Sequence, residues 1–251
     1  MTLSGTQNFL VTFSLIGGGV FILMASSACI GYAAAQLGTR RPEVRRFQWY
    51  LLGLIALWFG AAVATGAAGP LMFENILPFA LIPIALGALL SFTSPLKDLI
   101  RAIPTHWLIY LQFYRVIGGV FIFPYMTEGI LTRGFAYPAG IGDILTGIFA
   151  LPVAWLVLRG GERYKGFFVA WSAFGILDLI VAPASAAIFG FETAAVSAAG
   201  TEPEFPITII PLFLGPPFGI LIHIITLRNF WLRQVSGSPR AAAVTAETAP
   251  S

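Results

Sequence analysis

The sequence predicts an all-α protein: a polytopic integral membrane bundle of seven transmembrane helices, with its N-terminus outside and its C-terminus in the cytoplasm. Composition gives the first reason, because 57% of the 251 residues are hydrophobic and 10% are charged, whereas charged residues make up about a quarter of a soluble domain. The second reason is a series of apolar stretches, each close to the roughly 20 residues that a helix needs to cross a bilayer. The third is an alternation of charge between the loops.

Seven apolar stretches follow one another along the chain. They are Phe9 to Leu37, Trp49 to Gly69, Ile76 to Phe92, Trp107 to Tyr125, Phe135 to Leu158, Phe167 to Phe189 and Ile207 to Phe230. The first lacks the basic segment of a signal peptide and is too long for one, so we interpret it as a helix. The third is the shortest, and Pro78 and Pro83 make its outer limit the least defined.

The connecting segments alternate in charge, as seven spans require. One side carries twelve basic residues: Arg40, Arg41, Arg45, Arg46, Lys97, Arg101, Arg159, Arg163, Lys165, Arg228, Arg233 and Arg240. The other side carries Arg133 with Glu74, Glu128, Glu192, Glu202 and Glu204. The positive-inside rule places the basic side in the cytoplasm. We expect a multi-pass protein of a bacterial cytoplasmic (inner) membrane, with a transmembrane domain at 1–235 and a disordered cytoplasmic tail at 236–251.

The fifth stretch, Phe135 to Leu158, carries one carboxylate in its interior, Asp143. An Asp at the centre of a bilayer costs about 2.5 to 3.5 kcal/mol, so its side chain is expected to face protein or water rather than lipid. Small residues recur around it at helical spacing and would let another helix approach closely. These residues are Ala136, Ala139, Gly140, Gly147 and Ala150.

Four ionisable residues lie within the predicted spans: Arg115, Asp143, Asp178 and His223. Counting 1.5 Å per helical residue from alternating ends, both acids fall near mid-membrane, Arg115 slightly closer to the cytoplasm and His223 further in that direction. Gln112 lies one turn from Arg115. Because one guanidinium neutralises only one carboxylate fully, the second Asp should hold a proton or be compensated by a protonated His223. The set is therefore either a proton-exchanging site or a static network that specifies helix order.

The seventh stretch contains Pro211, Gly215, Pro216 and Pro217 before its histidine. Proline removes helical hydrogen bonds, so this helix should be kinked or broken near mid-membrane. Transporters use such breaks to build binding sites, but membrane helices also tolerate proline kinks with no functional role.

Residues 140 to 143, Gly-Ile-Gly-Asp, match the GxGD signature, and in these four residues the chain resembles the presenilin-like and signal-peptide-peptidase-like intramembrane aspartyl proteases. The resemblance implies a catalytic Asp143, with Asp178 as its partner acid. In that family the partner Asp precedes GxGD in a Tyr-Asp pair and a Pro-Ala-Leu motif follows. Here Leu177-Asp178 comes afterwards, and the sequence has no Pro-Ala-Leu.

The sequence contains few residues that could bind a cofactor. Covalent retinal needs a lysine inside the bundle, and both lysines, Lys97 and Lys165, fall at predicted cytoplasmic loops. His106 and His223 are the minimum for a bis-His haem, and metal-ligand spacing is absent, so we predict no cofactor and no metal.

The expected partners are the lipid bilayer and a small solute or proton, not nucleic acid, with the oligomeric state open. Two function classes remain: a small-solute or proton-coupled transporter, and a non-catalytic membrane partner or signal-relay protein with a structural polar core. The minor alternatives are an intramembrane aspartyl protease-like enzyme and a haem-binding membrane protein.

Overall fold

A computed structural model of the chain describes residues 3–37, 42–68, 73–194 and 205–237. The all-α prediction is confirmed for this part of the chain, which consists of helices joined by short turns and contains no strand. The helices are α1 (Gly5–Leu37), α2 (Pro42–Ala67), α3 (Phe73–Leu90), α4 (Ser94–Ala102), α5 (Thr105–Leu111), α6 (Arg133–Gly160), α7 (Lys165–Phe189) and α8 (Pro216–Gly237). The predicted tail at 236–251 lies almost wholly outside the described residues.

Five described stretches are long and apolar enough to cross a membrane: Gly5–Leu37, Arg46–Ala67, Thr105–Met126, Arg133–Phe189 and Ile210–Gln234. The fourth is 57 residues long and contains both α6 and α7. The chain reverses between them at Gly161, whose φ of +43° suits a residue without a side chain. The third predicted span corresponds to α3, in which the apolar helical segment is shorter and covers Leu81–Leu90. The described chain is thus a helical membrane protein with five candidate spans.

The stretch predicted from Trp107 to Tyr125 is one continuous rod with three kinds of helical geometry. It begins as α5, tightens into a 3-10 helix over Gln112–Phe121 and ends as a π turn over Ile122–Met126. Pro124 lacks an N–H and so cannot complete an α-helical turn there. A 3-10 helix of ten residues is unusual, and this one carries Arg115.

Contacts between helix ends sort the described elements into two ends of the bundle. At one end the Arg233 side chain donates to the carbonyls of Arg101 and Ile103 at 3.1 Å, and the Lys165 ammonium lies 4.0 Å from the Trp231 ring centre. We call this the basic end. At the opposite, acidic end, Gln7 donates to Glu128 at 2.7 Å and Thr132 donates to the Gly190 carbonyl at 2.6 Å.

Helix α4 runs along the basic end, where sequence reasoning placed only a loop. Its Leu96, Leu99 and Ile100 side chains are buried, while Lys97 and Arg101 belong to its other face. The sequence contained two signals of this helix. Its apolar residues recur with an amphipathic helical period, and Pro95 in the first turn is typical of the start of a helix.

Small residues of α6 set how closely α6 and the 3-10 helix approach. A Cβ at Gly147 would lie 2.8 Å from the backbone nitrogen of Val116, and one at Gly140 would lie 3.1 Å from the carbonyl oxygen of Gly118. Backbone thus packs directly on backbone at these points. Such close approach brings the side chains between the two helices into contact.

Candidate functional site

Arg115 projects from the 3-10 helix into the centre of the bundle, where it is 2% exposed. Its Nε donates to Asp143 Oδ1 on α6 at 2.7 Å, and its Nη2 donates to Asp178 Oδ2 on α7. Its Nη1 donates to the carbonyl of Gly175 on α7 at 2.9 Å. One guanidinium therefore holds two buried carboxylates, one from each neighbouring helix.

His223 of α8 completes the set on the remaining side. Its Nε2 lies 3.4 Å from Arg115 Nη1, and its ring centre lies 5.0 Å from that of Trp171. The side chain is 0% exposed. A permanently charged guanidinium at this distance favours the neutral imidazole with Nε2 as the acceptor. Counting Arg115 with two ionised aspartates and a neutral His223, the site carries one negative charge more than positive.

Glycines on neighbouring elements make the room for these side chains. A Cβ at Gly118 would clash with Asp143, one at Gly142 with the carboxylate of Asp178, and one at Gly175 with the His223 ring. Each ionisable group lies against a glycine of another helix. These three glycines define the volume of the site, and none of them is among the small residues that the sequence analysis named around Asp143.

The seventh predicted span is interrupted beside this site. A π turn over Ile210–Leu214 ends at Gly215, and α8 begins at Pro216. The interruption frees carbonyl groups, and two of them have side-chain donors: the Tyr114 hydroxyl donates to Leu214 O at 2.5 Å, and Trp58 Nε1 donates to Leu212 O at 3.1 Å. The break is thus held by specific hydrogen bonds.

Two cavities approach Asp143 from the acidic end. An open cleft of about 1000 Å³ runs between α1 and the 3-10 helix, from Gln7 and Pro124 inward to Tyr114 and Ile117. A second cavity of about 20 Å³ is lined by Tyr114 and Ile117 on one side and by Asp143 and Gly215 on the other. It is large enough for about one water-sized group. Tyr114 and Ile117 therefore separate the open cleft from Asp143.

A layer of polar groups lies on the other side of the ion pairs, toward the basic end. Four of its buried atoms have no hydrogen-bond partner within the described residues: Gln112 Oε1, Thr146 Oγ1, Ser172 Oγ and His223 Nδ1. A Cβ at Gly175 would meet both the His223 ring and, at 2.9 Å, the Thr146 methyl group. The Trp171 indole, whose ring is tilted against that of His223, donates to the Thr146 carbonyl at 3.1 Å. These contacts place Thr146 and Trp171 beside His223.

The structure brings together the residues on which the sequence argument depended. Arg115 contacts Asp143, Asp178 and His223 directly. Gln112 does not bond to these side chains; its Nε2 donates to the Gly219 carbonyl at 3.2 Å, one turn before His223. Pro211 lies in the π turn, and Gly215, Pro216 and Pro217 mark the break. Sequence reasoning missed four further residues of the site. They are Tyr114, Thr146, Trp171 and Ser172, which are neutral and carry no signal in an apolar helix.

The protease and haem alternatives meet a different geometry. In an aspartyl protease the two acids act together on one water molecule, whereas here the Arg115 guanidinium stands between Asp143 and Asp178. His223 is buried against Arg115, and His106 lies beside the rings of Trp107 and Tyr110. Among the described residues no group of three or more His, Cys, Asp or Glu could hold a metal ion.

A family profile described as "Domain of unknown function (DUF8737)" matches residues 76–231, more than half of the chain. The chain belongs to this family. The part matched by DUF8737 begins in α3 and ends in α8, so it contains Arg115, both aspartates and His223, whereas α1 and α2 precede it. No curated protein and no solved structure matches the chain.

Proposed function

We propose that this protein is a transporter in which protonation of the Asp143 and Asp178 pair accompanies passage of a proton or small solute through the bundle. The topology that we propose with it has seven spans, with α3 as the third and with α6 and α7 as separate spans. The basic end then faces the cytoplasm of a bacterium, in agreement with the positive-inside rule.

The observation that carries the proposal is the stoichiometry of buried charge at Arg115. Two carboxylates, each under a tenth exposed, share one guanidinium in the interior of an apolar bundle. Charge burial is costly, and a proton is the least expensive way to neutralise the second acid. A site with one acid in excess is therefore able to bind and release one proton.

Access to the site supports the same function, because polar or open regions adjoin the ion pairs on two sides. The cleft between α1 and the 3-10 helix leads from the acidic end to Tyr114, and the small cavity behind it reaches Asp143. The layer around His223 lies on the basic-end side. Tyr114 holds the broken helix at Leu214, so a movement of the break at Gly215 would open or close the route to Asp143.

The experiment measures proton flux in proteoliposomes that contain the purified protein and a pH-sensitive dye. Asp178→Asn and Asp143→Asn keep the side-chain volume but remove the exchangeable carboxyl proton, and we expect both to abolish flux. Asp98→Asn, on α4 outside the site, is the matched control and should leave flux unchanged. The comparison is repeated with a panel of small solutes added inside or outside the vesicles. The proposal would be refuted if vesicles with the wild-type protein showed no more flux than empty liposomes under any of these conditions.

A second function is favoured by the closure of the Arg115 network. The guanidinium bonds to α6 and α7 and contacts α8, so it fixes the positions of three helices around the 3-10 helix. Such a network suits a non-catalytic membrane partner or signal-relay protein. In that case the asparagine variants would lose folded protein, measured by size-exclusion chromatography, rather than flux alone.

A further inference from the structure

A third cavity, apart from the Arg115 site, lies in the half of the bundle nearer the basic end. It measures about 310 Å³ and is lined by parts of α1, α2, α3, α4, α5 and α8. Its wall is almost wholly aliphatic, as illustrated by Leu54 of α2, Leu86 of α3 and Ile100 of α4. Leu54 and Leu86 are 47% and 45% exposed, so these two lining residues do not seal the cavity from the lipid phase.

The apolar lining determines which kind of molecule this cavity can bind. Polar ligands find almost no hydrogen-bond partner in this cavity, because its few polar side chains include Ser26 and a Trp58 indole that already donates to Leu212 O. An apolar cavity of this kind does not hold water stably. A cavity whose lining is not sealed from hydrocarbon is suited to a flexible apolar chain from the surrounding membrane.

Basic residues lie close in the chain to the lining residues at the basic end of the cavity. Lys97 and Arg101 of α4 are next to the lining residues Leu96 and Ile100 along the helix. Arg228 of α8 donates to the Ser91 carbonyl at 3.1 Å and covers the Phe92 ring at 3.9 Å, just beyond the lining residue Leu90. Arg46 lies five residues before Leu51, the first lining residue of α2, and Asp98 is the acid among them. The rim is positive on balance and complements an anionic group.

We infer that this cavity binds one acyl chain of an anionic membrane lipid, whose headgroup lies at Lys97, Arg101 and Arg228. Helix α4 would then lie between the acyl chain and the headgroup region. Its aliphatic face would contact the acyl chain, and its basic face would be directed toward the headgroup. Basic pockets at the ends of membrane helices commonly recognise anionic headgroups. This inference does not depend on the transport proposal.

The test is native mass spectrometry of the full-length protein, extracted from the membrane in a mild detergent and then exposed to vesicles of phosphatidylglycerol mixed with phosphatidylethanolamine. We expect one retained phosphatidylglycerol per protein. Leu86→Trp fills the cavity and should abolish retention, whereas Leu89→Trp, on the same helix but 70% exposed outside the lining, should retain the lipid. Leu54→Trp and Leu57→Trp form an equivalent pair on α2, in case α3 tolerates no change.

The headgroup is tested separately. Lys97→Gln combined with Arg228→Gln should remove the preference for phosphatidylglycerol over phosphatidylethanolamine while a lipid still binds. Three results would overturn the inference: no retained lipid on the wild type, equal retention by the Leu86→Trp and Leu89→Trp variants, or a change of oligomeric state on Leu86→Trp without lipid loss. The last result would assign the cavity to a second copy of the chain.

Discussion

Replacement of Arg115 by glutamine would remove the single cation from between two buried acids. Removal of one partner of a buried ion pair costs about 3 to 5 kcal/mol, because the other charge stays buried without compensation. Here two carboxylates lose their partner, and the Gly175 carbonyl also loses a donor. Membrane burial leaves little water to replace these bonds. We therefore expect Arg115→Gln to lower the free energy of unfolding by at least about 3 kcal/mol.

The measurement is unfolding in mixed micelles with increasing sodium dodecyl sulfate, followed by circular dichroism. Arg163→Gln is the matched control, because Arg163 is exposed on the turn between α6 and α7 and contacts the Tyr164 ring. A triple variant that also carries Asp143→Asn and Asp178→Asn should recover much of the loss, since removal of both partners of a buried pair is far less costly than removal of one. Equal stability of the Arg115→Gln and Arg163→Gln variants, or no recovery in the triple variant, would refute this reasoning.

Three further changes test the surroundings of the ion pairs. Gly142→Ala places a methyl group against a buried carboxylate and should cost about 1 to 3 kcal/mol in the same unfolding assay, whereas Gly60→Ala, with nothing within 4 Å, should not destabilise; equal effects would contradict the packing argument. Tyr114→Phe leaves the Leu214 carbonyl without its donor and should cost about 1 to 3 kcal/mol, with faster hydrogen exchange at the helix break; an unchanged exchange rate would contradict it. Thr146→Val removes a hydroxyl that has no partner among the described residues, so proton flux should fall while stability holds, and unchanged flux would exclude Thr146 from the route.

Composition and apolar stretches predicted the membrane class, and one physical rule predicted the ionisable members of the polar set. Charged side chains inside apolar helices must meet one another or water, so Arg115, Asp143 and Asp178 could be named without knowledge of the fold. Glycine spacing on α6 also indicated a close helix contact. The structure places that contact on the 3-10 helix, at Gly118.

Other features had no signal that single-sequence reasoning could use. Helical period and depth cannot tell which glycine accommodates which side chain, because that depends on the rotation of each helix in the bundle. The partners of the broken helix were equally hidden, since Trp58 and Tyr114 look like ordinary aromatic residues of apolar spans. Helix α4 was detectable from its amphipathic period but was too short to stand out between two long apolar stretches. The assignment of α3 as a membrane span, the seven-span count and the orientation stay predictions.

The central claim is that the Arg115 site holds one exchangeable proton on its pair of aspartates. Infrared difference spectroscopy of the protein in lipid, with aspartate carboxyl carbons labelled with ¹³C, measures this directly through the C=O stretch of a protonated carboxyl group. The account predicts one such band that appears and disappears with pH while the fold persists, and that is altered in the Asp143→Asn and Asp178→Asn variants. A spectrum in which both aspartates stay ionised over the whole pH range of the folded protein would contradict it.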